Sequence, residues 1–212
     1  MKIIPIGCSA LALVLAGCSS KGDIDATGGI NAVRSACPAV ALPAGTGDIT
    51  LFDPATSTDA NAIDVTATIS NLRSTCNDAG DQIVTTVTFD VDARRARAEA
   101  ARDLTLPYFI TVVRGGNAVV AKRIGRVGVH FDAGQQRAHT SGTASTQITR
   151  TAATLSQEVR NQLTKRRKAG DQDAAVDPLS RPEVREAVLR ASFEALVGFQ
   201  LTNDQLKYNA TR

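Results

Sequence analysis

Histidine is scarce in this chain, so acid–base or metal chemistry that needs an imidazole has only two candidates, His130 and His139. His130 and Asp132 alternate with Val129 and Phe131, which places both on the wet face of an expected strand. His139 falls on the next expected strand and could approach them. Two imidazoles and a carboxylate are enough to hold a divalent ion, and an ion with an open position could activate water for hydrolysis. A polar strand face is also where solvated His and Asp occur, so ligation and plain solvation both stay open, and no catalytic residue is assigned. Ser141-Gly142 lacks the strand–turn–helix setting of a nucleophile elbow. Gly115-Gly116-Asn117 reads as a turn and not as a phosphate loop. Asp53, Asp59 and Asp64, or Asp90 and Asp92, lack the spacing and glycine of a calcium loop.

Composition narrows the classes further. A chain of 212 residues with 43% apolar and 21% charged residues can bury a core, which excludes wholesale disorder. A formal net charge of +3 is too mild for a nucleic-acid binder. No unbroken apolar run reaches the roughly 18 residues of a spanning helix.

The N-terminus carries the most specific signal. Lys2 precedes a broken apolar stretch, Ile3 to Leu15, which suits a secretory signal and is too short for an anchor. It ends in Leu15-Ala16-Gly17-Cys18, and this tetrapeptide resembles the lipobox of bacterial lipoproteins. The resemblance implies a signal peptide over 1–17, cleavage before Cys18, and acylation of that cysteine. The covalent lipid on Cys18 is the only prosthetic group expected, and a three-chain anchor would hold the protein on the bilayer durably. Ser19 and Ser20, with no Asp beside the cysteine, look like the pattern exported to the outer membrane. Residues 18–30 are small, polar and Gly-rich and read as a tether of about 20 Å root-mean-square. With Cys18 taken by lipid, Cys37 and Cys76 form an even pair in an oxidising compartment. A disulfide between them would stabilise by about 4 kcal/mol in the chain-entropy model. Two buried free thiols are the alternative, and no C-x-x-C spacing favours a redox role.

The elements that would carry these residues alternate at period two. Residues 38–47 are loop-like, and a short strand at Ile49 to Phe52 follows. Ile63, Val65, Ala67 and Ile69, and then Ile83, Val87, Phe89 and Val91, flank the polar turn 77–81 as an antiparallel pair. Leu106 to Arg114 and Ala118 to Ile124 bracket the Gly-Gly-Asn hairpin turn, and further strands are expected at Val127 to Phe131 and Ala138 to Ile148. Residues 93–102 are rich in helix formers and read as a helical turn or a crossover. Seven or so short strands favour a mainly β fold, an immunoglobulin-like antiparallel β-sandwich over 31–150.

From Thr151 the period becomes helical, giving a C-terminal helical segment over 151–212. One helix should run through Ala152, Leu155, Val159 and Leu163 to Gly170, with 165–168 compensating its dipole. A second, capped by Ser180, should carry Val184, Val188, Leu189, Ala191, Phe193, Ala195 and Leu196 on a wide apolar face. Thr202 should cap a third. Phe193, Leu196, Phe199 and Leu201 could complete the chain's own core or dock onto an envelope protein, with Gly198 marking close backbone approach. Arg94, Arg95 and Arg97 form a basic cluster that is either a solvated face or a contact for lipid phosphates or an acidic partner.

In overall pattern the chain is similar to alphaproteobacterial outer-membrane lipoproteins. The expectation is a lipid-anchored, periplasm-facing, non-enzymatic accessory or structural subunit of an envelope assembly. Its partners would be membrane lipid, through the anchor, and an envelope protein, with oligomeric state left open. A tethered binding module for a small molecule or polymer is the alternative, and a metal-dependent hydrolase comes third.

Overall fold

A computed structural model describes residues 35–165, 170 and 176–211. The signal peptide, Cys18 and the tether lie outside these residues, as do 166–168 of the basic run. The described chain is mainly β, and two four-stranded sheets pack face to face as a β-sandwich. One sheet has the order β2 (Asp48–Phe52), β3 (Ile63–Asn77), β4 (Gln82–Arg95), β7 (Arg137–Thr149). The other has the order β1 (Ala39–Ala41), β8 (Phe193–Phe199), β5 (Arg102–Arg114), β6 (Ala118–Phe131). All neighbours are antiparallel except β1 and β8, which run parallel.

Strict alternation builds the core. Val87, Phe89 and Val91 of β4 point inward and pack in one cluster with Leu106, Ile110, Val127, Val129, Phe131, Val197 and Phe199 from the facing sheet. Phe89 lies directly opposite Gly142 of β7, where a Cβ would collide with its ring. That glycine leaves room for Phe89 to stack edge-on against Tyr108, with ring centroids 5.1 Å apart. A smaller apolar cluster at the other end joins Ile83, Val112, Ile148, Ala153 and Phe193. Beside it the Cys37–Cys76 disulfide ties the chain before β1 to the end of β3.

Two arginines fasten the opposite end, where the chain changes sheets. The run expected as a helical turn or crossover is a crossover: β4 continues to Arg95, and 96–101 lead to β5 in the other sheet. Alternation separates Arg95, which turns inward, from its exposed neighbour Arg94. Arg94 is exposed, Arg97 pairs with Asp53, and Arg95 is only 2% exposed. The Arg95 guanidinium donates to the carbonyls of Gln135 at 2.8 Å, Ala100 at 2.7 Å and Asp132 at 2.9 Å, and lies over Phe131. One buried cation thereby holds both the 96–101 crossover and the 132–136 turn between β6 and β7. Beside it Arg102 of β5 grips the buried Asp64 of β3 through two parallel hydrogen bonds of 2.9 and 2.8 Å, again joining the sheets.

The C-terminal third departs from the helical expectation. The helix expected over 151–169 is broken: α1 (Arg150–Ala153) stops, and Ser156 caps a new helix, α2 (Gln157–Thr164), by accepting from the Val159 N–H. Ser180 caps nothing, because its hydroxyl donates to the Asp177 carbonyl within a 3-10 turn, and α3 (Pro182–Arg190) starts one residue later. The wide apolar helix ends at Arg190. Residues 193–199 form β8, a strand that occupies an interior position of the second sheet. Its register against β5 faces Phe193, Ala195, Val197 and Phe199 inward, so the sandwich does not end at residue 150. The segment 38–47 likewise holds a strand, β1. Thr202 does cap α4 (Asn203–Thr211), through a reciprocal pair of hydrogen bonds with Gln205.

Arg95→Met should destabilise the protein by about 3 kcal/mol, since the carbonyls lose their donor while the stem volume is kept. Arg95→Lys should rescue little of it, because an ammonium cannot span the same three acceptors; urea unfolding followed by circular dichroism measures both. Truncation after Asp177 should abolish the cooperative transition altogether, because it removes β8.

Candidate functional site

The outward face of the first sheet gathers most of the polar chemistry. β3, β4 and β7 present successive cross-strand rows: Thr66, Arg94 and Arg137; Thr68, Asp92 and His139; Ser70, Asp90 and Ser141. His139 Nδ1 lies 2.9 Å from Asp92 Oδ1, and the Ser70 hydroxyl donates to the other oxygen of that carboxylate. Ser141 donates to Asp90 at 3.0 Å, and the Asn71 side-chain amide donates to it at 2.7 Å. Asn71 stands at a bulge of β3 with φ of 51°, a left-handed conformation that asparagine tolerates, and the bulge aims it across the strand. A shallow concavity of about 380 Å³ lies over the first two rows.

These contacts set the electrostatics. The hydrogen bond that its ring donates to Asp92 raises the His139 imidazole above its ordinary range. Hydrogen bonds from Asn71 and Ser141 hold the Asp90 carboxyl below its own.

His130 sits elsewhere. It projects from the outward face of the second sheet, with Nδ1 2.7 Å from Asp103 and Nε2 3.4 Å from Asp132. Asp103, and then Asp132, raise its imidazole. His130 and Asp132 do meet as expected. His139 does not join them, because Phe131 and Ala138 turn inward and their histidine neighbours point out of opposite faces of the sandwich. Among the described residues no three His, Cys, Asp or Glu side chains converge as a metal site. The partners missed from sequence, Asp103 and Asp92, lie 27 and 47 residues away and are supplied by strand register alone.

Of the expected docking residues, Phe193, Phe199 and Leu201 are buried in the fold, whereas Leu196 is half-buried and alternates with the inward-facing residues of β8. Gly198 does lie at a close approach, where a Cβ would strike Thr46. The accessible apolar surface is instead at the edge strand β6. Every residue from 118 to 124 is exposed, with Val119 at 65%, Val120 at 51% and Ile124 at 64%. Val119 and Ile124 stand opposite the nearly covered Val113 and Phe109 of β5, and Lys122 lies over the Phe109 ring. The sequence signal was the Val-Val pair, read there only as half of a hairpin.

The molecule is therefore a disulfide-stapled β-sandwich with one outward face of paired polar groups and one partly apolar open edge. No protein-family model matches the chain, and neither the curated proteins nor the solved structures include a significant match to it. No described helix is long and apolar enough to cross a membrane.

Both histidines should titrate above the ordinary imidazole value of about 6.5, and Asp103→Asn and Asp92→Asn should each return their own histidine toward it. Each raised imidazole adds stability that is fully present below about pH 6.5 and fades as pH rises through the raised value. Side-chain NMR titration of the wild type and both variants reads these shifts.

Proposed function

We propose that this chain is an exported, lipid-anchored, non-enzymatic accessory subunit of a bacterial envelope assembly, attached through Cys18 to the outer membrane and facing the periplasm. The Cys37–Cys76 disulfide carries this reading. Such bonds persist in oxidising compartments, and this one accounts for two of the three cysteines that remain once residues 1–17 are removed. The third is the cysteine of Leu15-Ala16-Gly17-Cys18, which is left available for the lipid. The histidines are each engaged by a neighbouring carboxylate on an outward strand face, an arrangement that suits a polar binding surface. The open edge of β6 gives the domain a surface to dock with.

Expression of the full chain in a Gram-negative host with labelled palmitate tests the anchor. The wild type should carry the label and fractionate with the outer membrane, whereas Cys18→Ser should lose both. A wild type that is unlabelled and soluble overturns the proposal.

A further inference from the structure

We infer that the free edge of β6 over residues 118–124 is a strand-addition site for an extended acidic segment of a partner protein. The inference rests on the docking reading above, but not on the lipid anchor. Among the described residues β6 pairs only with β5 in the second sheet, and its other flank carries no strand. Toward its C-terminal end β6 approaches β7 and its alternate side chains are buried, but from Ala118 to Ile124 both faces are open. Seven extended residues measure about 23 Å, the length of an ordinary strand, so the unpaired main-chain groups there can register a complete incoming segment.

Charge selects the occupant. The sequence of β6 contains Lys122, Arg123 and Arg126 and no Asp or Glu. A second copy of this chain, added edge to edge, would bring two sets of these cations together, and cationic edges are a known bar to self-pairing. An incoming segment that alternates Asp or Glu with Val or Ile would meet those cations favourably. Its apolar side chains would lie beside Val119 and Ile124, continuing the patch that Val113 and Phe109 begin. The same three residues thus exclude the copy and admit the partner, specificity by repulsion and attraction together.

Two synthetic ten-residue peptides test this with the full-length protein in detergent. One alternates Asp/Glu with Val/Ile, and the other carries Lys in place of every acid. Fluorescence anisotropy should show the acidic peptide binding at least tenfold more tightly, and hydrogen exchange should show protection concentrated at 118–124. The double variant Lys122→Glu, Arg123→Glu changes exposed side chains only and should reverse the preference, with an unfolding midpoint near that of the wild type. Equal binding of both peptides, or protection elsewhere, overturns the inference. So does edge protection that appears only with phosphatidylglycerol vesicles, which would mean a lipid surface, or with rising protein concentration alone, which would mean self-pairing. Cys18→Ser protein gives the same peptide result if only the anchor proposal is wrong, so the two failures are distinguishable.

Discussion

The sandwich depends on a cation buried where water cannot reach it. Arg95 has no carboxylate partner among the described residues, and its guanidinium is satisfied by three main-chain carbonyls and a ring face. A charge in that position tolerates little displacement, because each lost hydrogen bond leaves a desolvated donor or acceptor. The constraint is exported to everything around it. The carbonyls belong to the two connections by which the chain leaves and re-enters the first sheet, so fixing them fixes how the sheets are offset. Asp64 and Arg102 repeat the tie one strand over, and the disulfide closes the far end. Between those fastenings the core needs only alternating apolar residues of suitable size, which Thr/Val-rich strands supply.

The two outward faces follow from the same alternation but divide the labour. On the first, neighbouring strands present hydroxyls, an amide and carboxylates that hydrogen-bond to one another across the sheet. On the second, β6 projects past the packed region, and its residues 118–124 are exposed on both faces. The histidines of both faces are held by carboxylates, and the main chain is open along the edge of β6.

Much of the β architecture was readable because period-two patterns report burial directly. β3, β4, their turn, the β5–β6 hairpin and β7 all announce themselves by alternation bounded with Gly and Asp, and the cysteine pair followed from counting. β8 was not readable. Phe193, Leu196 and Val197 fit a helical face as well as they fit a strand, and Glu-Ala-Leu favours a helix locally; the decision is made by β5 and β1, which flank it. The histidine–carboxylate pairs were half legible. Strand alternation placed each histidine on a wet face, but which Asp lay opposite depended on register across 27 and 47 residues. The open edge escaped because exposure at an edge is a property of sheet order, which no local window contains.

The interior position of β8 has a consequence for the order of events in making the protein. A chain emerging from its N-terminus has seven of the eight described strands in hand while β1 and β5 still lack the one that joins them. Until residues 193–199 arrive, the described part of the second sheet is only a hairpin, and the apolar flank of β5 stands open. Closure of the sandwich therefore waits on a pairing between β5 and a strand about 80 residues further along the chain, a non-local contact of the kind that slows folding.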